Sequence, residues 1–239
     1  MRRLLTCAAA IAVVAAPAAG GSALAGSAGE AKPVRLKEAT LIVEVNATDR
    51  DAGLQVFLDG EAWKAMRIVA PNGRTILDVG ARGRLQGYGL AELFSESSEP
   101  PFDVFPLERF KALFPAGRYA FSGSTIEGRR LTGTARLSHD FPAGPKIVAP
   151  VDGSKVARAG VVARWRAVAE AAGVDIVGYR AIVTREGPLR ILSADLPASA
   201  RQLRVAPEFL QRGTEYKLEV QAIERSGNQT LTEVSFRVR

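Results

Sequence analysis

The stretch that decides the fold is Leu-Gln-Arg-Gly-Thr-Glu-Tyr-Lys-Leu-Glu-Val-Gln-Ala, residues Leu210–Ala222. A turn at Gly213 leads to Tyr216, and from there apolar and polar residues alternate as far as Ala222. A period of two is typical of a strand with one buried face, because successive side chains point to opposite sides of a sheet. The stretch therefore predicts a half-buried strand with Tyr216 on its buried side.

The spacing Leu-x-x-Gly-Thr-x-Tyr that ends at Tyr216 resembles the tyrosine corner of β-sandwich domains. In that motif the phenol packs inward and its hydroxyl bonds to backbone a few residues upstream. Around it, residues 146–239 resemble a fibronectin type III domain. The resemblance places Trp165 at the core tryptophan of that family and Tyr179 at the aromatic of its third strand. The segments that match are Pro150–Gly153, Val161–Trp165, Ile176–Val183, Arg201–Val205, Ser226–Asn228 and Val234–Val238.

The resemblance has two departures. The proline usual near the tyrosine corner is replaced by Gln211-Arg212, and the sequence contains no Arg-Gly-Asp tripeptide. The first leaves the predicted fold intact, whereas the second removes support for integrin-type binding. The resemblance implies an antiparallel β-sandwich that acts by interaction rather than catalysis, which is an argument from fold alone.

Residues 38–143 predict a second β-rich domain with a short helical insertion. Its clearest feature is Pro71-Asn72-Gly73, a turn that joins the strands Trp63–Ala70 and Arg74–Val79. Asp59-Gly60 predicts a further hairpin turn, since Asp-Gly is a favoured hairpin dipeptide. The remaining predicted elements are strands at Thr40–Val45 and Gln55–Leu58, helical pieces at Leu90–Phe94 and Pro106–Phe114, and a hairpin of Tyr119–Ile126 and Arg130–Ser138 through Glu127-Gly128.

The predicted fold class is all-β, with two antiparallel β-sandwich-like domains in tandem, at 38–143 and 144–239. Phe141–Pro145 is the predicted boundary. Residues 1–25 predict a signal peptide, with basic Arg2 and Arg3, an apolar run, and Ala23-Leu24-Ala25 as the cleavage site. Residues 26–37 are predicted to be an N-terminal tether or an irregular lead-in strand.

Composition excludes several kinds of function. The formal charge of +7 falls to +5 once Arg2 and Arg3 are removed, and the remaining basic residues are scattered, so a nucleic-acid interface is not expected. The single cysteine, Cys7, lies in the predicted signal peptide, and His139 is the single histidine. Zinc or copper would lack nitrogen and sulfur ligands, and His139 is interpreted as a packing residue. No integral membrane association is expected, because no apolar run is long enough to span a bilayer.

One loop leaves calcium open. Asp49-x-Asp51-x-Gly53 places two acids two residues apart, with Asp59 close in sequence, and Ca²⁺ prefers such oxygen ligands. Ala47–Gly53 is also similar to the Asp-x-Asp calcium segment of cadherins, without the other acidic motifs of that family. The interpretation we favour is a turn that the acids cap by Asx hydrogen bonds, so no cofactor is expected and a calcium site at Asp49, Asp51 and Asp59 remains the alternative.

Two further residue sets suggest carbohydrate chemistry. Glu92, Glu96, Glu99 and Asp103 could supply a glycosidase-like acid/base pair, but such a pair needs a partly buried carboxyl, and the surrounding loop predicts an exposed face. Five aromatic residues could form a sugar-stacking platform, although each also suits a core: Trp63, Phe57, Phe94, Phe102 and Phe105.

The sequence therefore predicts an exported, non-enzymatic binding or scaffold protein, periplasmic or extracellular. Its expected partner is an unidentified protein or glycan in the cell envelope or outside the cell. The alternative is a carbohydrate-associated accessory protein or hydrolase that uses the first domain.

Overall fold

The computed structural model describes residues 32–169, 171, 173–185 and 189–239, with backbone only for residues 189 and 190. The predicted signal peptide at 1–25 and residues 26–31 of the predicted tether lie outside the described residues. Among the residues described, no helix has the length and apolar character needed to cross a bilayer.

The described chain is built mainly from β-strands, which confirms the all-β prediction. The strands form two sheets, one large and one with three strands. The elements are β1 (Val34–Arg35), β2 (Glu38–Asn46), β3 (Asp51–Val69), β4 (Thr75–Gly80), α1 (Leu85–Tyr88), β5 (Leu90–Glu96), α2 (Leu107–Leu113), β6 (Gly117–Thr125), β7 (Arg130–Leu137), β8 (Ile147–Ala149), β9 (Ser154–Val156), β10 (Val162–Trp165), β11 (Ile176–Arg185), β12 (Leu189–Pro197), β13 (Gln202–Arg204), β14 (Glu215–Glu224) and β15 (Gln229–Val238), with short 3-10 turns at Arg158–Gly160 and Pro207–Phe209.

The N-terminal segment, from β1 to β7, is organised around the long strand β3. The first half of β3 lies between β2 and β5, and its second half lies between β4 and β6. Inward residues alternate along the first half, with Leu54, Val56 and Leu58 all buried. They belong to a single core cluster that also contains Trp63, Tyr119 and Phe121, so this segment has its own hydrophobic core.

The predicted turn at Asp59-Gly60 is wrong, because β3 runs through both residues without interruption. Gly60 is not among the glycines with positive φ. A Cβ at Gly60 would come within 2.8 Å of Leu36 Cδ2. The glycine at position 60 is therefore explained by the close approach of Leu36 and not by a hairpin turn.

The predicted helix at Leu90–Phe94 is also wrong, since these residues begin strand β5. Leu93 pairs with Leu58 and Phe94 with Phe57 across the sheet, and this pairing overrides the helical propensity of the local sequence. The second predicted helical piece is confirmed as α2, with Phe110 facing the core. The hairpin turns at Gly73 and Gly128 are confirmed, each glycine having positive φ.

The C-terminal segment, from β8 to β15, is a sandwich of two sheets. The three-stranded sheet has the order β13-β10-β8, and the facing row runs β12-β11-β14-β15. Trp165 on the first sheet and Tyr179 on the second pack together, with ring centroids 5.7 Å apart. Both side chains are buried, so the residues that the sequence placed at the centre of this segment do lie in its core.

The tyrosine corner is confirmed. The buried Tyr216 hydroxyl accepts a hydrogen bond of 2.7 Å from the backbone N–H of Gln211. Gly213 makes the turn before it, with φ of +77°. A related tie occurs in the N-terminal segment, where the Tyr119 hydroxyl donates to the carbonyl of Pro115 at 3.0 Å; the sequence analysis did not identify it.

The two segments belong to one compact unit, Lys32–Arg239. They meet where β15 pairs in parallel with β2, from Gln229 opposite Glu44 to Leu231 opposite Asn46. This pairing extends one sheet through both segments, and we call it the seam. At the other side of the N-terminal segment, β1 pairs in parallel with β7, so residues 34–35 of the predicted tether form the lead-in strand.

Candidate functional site

The loop that suggested calcium is a compact hairpin turn between β2 and β3. The Oδ1 atom of Asn46 accepts hydrogen bonds from the backbone N–H groups of Thr48 and Asp49, at 2.9 and 3.0 Å. Its Nδ2 donates to Asp49 Oδ2 at 3.1 Å. These are the bonds of an Asx turn, and they occupy one oxygen of Asp49.

Asp51 and Asp59 lie at opposite ends of the first half of β3, the part that pairs with β2. They are eight residues apart, which corresponds to about 26 Å of strand. Asp59 forms an ion pair with Lys37 at 3.5 Å. Burial, followed by the nearby charges of Asp49 and Glu233, raises the pKa of Asp51. The structure therefore brings Asp49 and Asp51 together and leaves Asp59 apart, so the three do not form a single site.

A different group of acids does converge. Glu44 on β2, Glu96 at the end of β5 and Glu99 in the following loop have carboxylate oxygens within 4.8 Å of one another; we call these three the carboxylate cluster. Glu99 reaches it by lying directly over Gly53, where a Cβ would come 2.2 Å from Glu99 Oε1. The missing side chain at Gly53 is what makes room for Glu99.

The loop that delivers Glu99 is fixed to β3 by Ser97. The Ser97 hydroxyl accepts from the backbone N–H of Leu54 at 2.9 Å, and the Ser97 N–H donates to the Leu54 carbonyl at 2.9 Å. These two bonds continue the strand pairing past the end of β5. The chain then turns back toward the sheet, so the Glu99 carboxylate lies against Gly53.

Three glutamine amides surround the carboxylate cluster. Gln55 on β3 donates to Glu96 Oε1 at 2.8 Å. From the C-terminal segment, Gln221 donates to Glu44 Oε2 at 3.1 Å, and Gln229 donates to the same oxygen. Gln221 and Gln229 are only 3% and 4% exposed, and the Oε1 atom of Gln221 is buried without a hydrogen-bond partner.

The negative charge of the carboxylate cluster is poorly compensated. Burial raises the pKa of Glu44 to about 7, and the charges of Glu96 and Glu219 add to the effect. The pKa of Glu99 is also raised to about 7, first by burial and then by Glu96 and Asp51. Of the lysines and arginines that the structure describes, none forms an ion pair with Glu44, Glu96 or Glu99. Such a group can take up a proton or bind a cation.

The predicted acidic set is divided by the structure. Only Glu96 and Glu99 join the carboxylate cluster. Glu92 lies opposite Asp59 on the neighbouring strand, and Asp103 forms an exposed ion pair with Arg50 at 3.5 Å. The set was predicted to be a solvated face, whereas the structure gathers Glu96 and Glu99 beside Glu44, and burial raises the pKa of Glu99.

Sequence reasoning missed Glu44 and the three glutamines. A usable signal existed for Glu44, because the turn that pairs Asn46 with Asp51 places Glu44 opposite Gly53. Gln221 was predicted to lie on the polar face of its strand, whereas the N-terminal segment covers that face at the seam. No local pattern reveals a contact between residues so distant in the chain.

The five candidate aromatics also separate. Trp63 is fully buried and its Nε1 donates to the carbonyl of Ala91 at 3.2 Å. Phe102 and Phe105 pack against the same core. Phe57 and Phe94 instead lie opposite each other on the outer face of β3 and β5, with Phe94 62% exposed. This pair is next to Gln55 and Glu96 in the strand register.

His139 has a structural contact. Its Nε2 atom lies 2.8 Å from the carbonyl oxygen of Phe114, and its ring is near that of Phe141. These contacts agree with the packing role expected from the sequence.

Comparison with known proteins gives low similarity. A segment of two fibronectin type III domains from chicken tenascin aligns at 8% identity and a TM-score of 0.32, over 84% of this chain and 98% of that chain. The chicken CNTN1 FN1-FN3 domains align at 10% identity and a TM-score of 0.32, over 86% of this chain and 68% of that chain. An engineered protein aligns at 20% identity and a TM-score of 0.32, over 43% of this chain and 21% of the engineered chain.

No family model matches the chain, and no curated protein matches it. At these TM-scores the likeness to solved structures identifies neither a family nor a function.

Proposed function

We propose that this protein is an exported, non-enzymatic binding module whose ligand contacts the outer face of β2, β3 and β5. The observation that supports this most directly is the in-register pair Phe57 and Phe94. Phe94 is 62% exposed, although burying an aromatic ring would stabilise the fold. An aromatic pair with one exposed ring, beside amide and carboxylate groups, combines apolar contact with directional hydrogen bonds, as binding surfaces do.

We infer further that the C-terminal segment is a fibronectin type III-like domain. The bond between Gln211 and Tyr216, the pairing of a three-stranded sheet with the row β12-β11-β14-β15, and the central Trp165 support this. In this proposal the C-terminal segment is a scaffold, because it supplies Gln221 and Gln229 to the seam while Phe57 and Phe94 lie on the N-terminal segment.

The non-enzymatic part of the proposal is supported by the resemblance of the C-terminal segment to fibronectin type III domains, which implies interaction rather than catalysis and is an argument from fold alone.

A glycan is the ligand class that this surface favours over a protein. The aromatic pair supplies an apolar contact, and the neighbouring Gln55–Glu96 hydrogen bond offers donors and acceptors that sugar hydroxyls can share. The surface that supports this proposal consists of two rings and one polar pair, whereas a stable protein interface buries about 800 Å² on each partner.

A glycan array, probed with wild type and two variants, tests the proposal. Phe94→Ala removes an exposed ring from the outer face. The matched control is Phe209→Ala, which removes a ring that is 48% exposed in the C-terminal segment. We expect wild type and Phe209→Ala to bind the same sugars and Phe94→Ala to lose them.

Equal binding by Phe94→Ala would refute this face as the ligand surface. An array without any specific signal would refute the glycan as ligand class. Cleavage of a bound oligosaccharide, followed by mass spectrometry, would overturn the non-enzymatic assignment.

A further inference from the structure

The fold gathers arginines that are scattered in the sequence onto one face of the N-terminal segment. On β1, β4, β6, β7 and the second half of β3, exposed side chains alternate with those that pack on the core. The exposed charged residues of these strands, from Ala65 onward on β3, are Arg35, Arg67, Arg118, Arg130, Arg136 and Asp78. We call this surface the arginine face. Its five positive charges and one negative charge give a formal charge of +4.

The strand register places these residues side by side. Arg35 lies opposite Thr132, and Thr132 lies opposite Ser122. Ser122 in turn lies opposite Arg67 on β3. Arg35 and Arg67 are therefore three strand spacings apart, which corresponds to about 14 Å. The two residues between them both carry hydroxyl groups.

A shallow cavity of about 310 Å³ opens on this face, and its lining includes Arg67, Arg130, Ser122 and Ser124. The two serines lie on β6, between the strand of Arg67 and the strand of Arg130. Ala65, opposite Ser124, keeps the floor of the cavity low because its side chain is small. Guanidinium and hydroxyl groups are donors that bind carboxylate, sulfate or phosphate oxygens. The cavity can therefore hold one acidic group of a ligand.

The positive charge of the arginine face is not neutralised by the protein. Arg118 lies directly opposite Arg136, and like charges in such positions destabilise a sheet. Arg67 pairs with Asp78, but the other four arginines form no ion pair with any acid in the part of the chain that the structure describes. The face ends at Arg136, which lines a second cavity together with Asp140 and Glu224. A ligand with negative charge would relieve the repulsion.

The shape and chemistry of the face favour an extended ligand that is rich in hydroxyl groups. Arg130 and Arg136 are six residues apart on β7, which corresponds to about 20 Å, so only a long ligand reaches both. The other residues that β6 and β7 expose here are small or carry hydroxyl groups: Ala120, Ser122, Ser124, Thr132 and Thr134. These strands expose no aromatic ring on which bases of a single-stranded nucleic acid could stack. They also expose no Trp, Phe or Leu side chain of the kind that enters a bilayer surface.

We propose that the arginine face binds a linear acidic polysaccharide. One acidic group of the polymer occupies the cavity between Arg67 and Arg130, and further acidic groups contact Arg35 and Arg118. This inference goes beyond the proposed glycan surface at Phe94 and does not depend on it. An exposed ion pair contributes little by itself, so the ligand needs to reach several arginines at once. Short sugars that bind at Phe94 therefore do not report on this face.

The test is the fluorescence anisotropy of labelled polysaccharides titrated with the purified protein. The acidic probes are polygalacturonate, which carries carboxylates, and heparin, which carries sulfates; dextran is the neutral control. We expect an acidic probe to bind in about 50 mM NaCl and dextran not to bind. Raising the salt to about 300 mM should weaken binding about tenfold or more, because salt screens exposed charges.

Two double variants with the same change in net charge locate the site. Arg118→Gln/Arg130→Gln should weaken binding about tenfold or more, because it removes two charges from the arginine face. Arg166→Gln/Arg212→Gln changes two exposed arginines of the C-terminal segment and should bind as wild type does. Asp78→Asn removes the acid of the face and should tighten binding. Both double variants should keep the wild-type Tm, since the altered side chains have no ion pair to lose.

Failure of both acidic probes to bind in the lower salt would overturn the proposal. Equal weakening by the two double variants would also overturn it, because net charge alone would then account for binding. A DNA duplex, or vesicles that contain phosphatidylglycerol, bound more tightly than either acidic probe would overturn the polysaccharide as partner. Phe94→Ala should keep the wild-type affinity for the acidic probe, and a loss there would move the site to the aromatic pair.

Discussion

Asn228 is expected to be the most sensitive polar residue of the seam. It is 1% exposed and lies between the two segments. Its Oδ1 accepts a hydrogen bond from the Val43 N–H at 2.8 Å. Its Nδ2 donates to the carbonyl of Ser138 at 3.1 Å and to that of Asp140 at 3.3 Å. Its Nδ2 also donates to the Ser138 hydroxyl at 3.0 Å, so the variant Asn228→Ala removes four bonds at once.

The expected cost follows from the groups left behind. Val43 is fully buried, so its N–H has no access to water and loses its only acceptor, at a cost of about 1–3 kcal/mol. The two carbonyls lie nearer the surface, and we add about 1 kcal/mol for them. The total of about 2–4 kcal/mol is a large part of a typical stability of 5–15 kcal/mol. Asn72→Ala is the control, because it removes a similar bond of 3.1 Å in an exposed turn and should cost less than about 1 kcal/mol.

The assay uses the two tryptophans of the chain, one in each segment. Trp63 belongs to the N-terminal core and Trp165 to the C-terminal core. In the Trp63→Phe background, fluorescence reports the urea unfolding of the C-terminal segment, since Trp165 is the remaining tryptophan. In the Trp165→Phe background, it reports the N-terminal segment. We expect the two transitions to coincide while Asn228 is present and to separate in Asn228→Ala. If Asn228→Ala lowers the free energy of unfolding by less than about 0.5 kcal/mol and the transitions still coincide, Asn228 does not hold the seam.

Three more predictions concern other parts of the molecule. Tyr216→Phe should lower the free energy of unfolding by about 1–2 kcal/mol through loss of the bond to Gln211, and urea melts that show no change would contradict the tyrosine corner. Burial raises the pKa of Glu44 to about 7 in the folded protein, from an ordinary value of 4.5. The stability gained from protonated Glu44 is therefore complete below pH 4.5 and is lost as the pH rises through about 7. Over this range the free energy of unfolding should fall by about 1–3 kcal/mol. Glu44→Gln should flatten this part of the profile, and a profile as steep as wild type would contradict the assignment. The intact mass of protein from its native host should correspond to a chain beginning at Gly26, whereas retained Met1 or a lipid on Cys7 would contradict soluble export.

Sequence reasoning succeeds here where the cause of the structure is local. Gly73 and Gly128 occupy turns that require positive φ, and both turns form where predicted. The alternation after Tyr216 gives β14 and its buried face because one side of that strand packs on the C-terminal core. Each of these features depends on a few consecutive residues.

The failures have a cause that is distant in the chain. Asp59-Gly60 does not turn because β3 continues through it, paired with β2 and β5 before it and with β4 and β6 after it. Residues 90–94 become a strand because β3 is available to pair with them. The carboxylate cluster could not be predicted as a unit, since Glu44 and Gln229 are separated by 185 residues. The sequence pattern singled out Glu96 and Glu99 but not Glu44 on β2, which completes the carboxylate cluster.

The seam also determines the order in which the chain can fold. Strand β2 pairs with β3 through a hairpin and can form early, but the last three residues of its other edge, Glu44–Asn46, pair with β15, 185 residues further along the chain. Until β15 forms, the N–H and carbonyl groups of that edge are free to pair with another chain, which makes an open strand edge prone to aggregation. Contacts between distant residues also slow folding. A newly synthesised chain therefore passes through a state in which this edge of β2 is open, and the late pairing of β15 closes it.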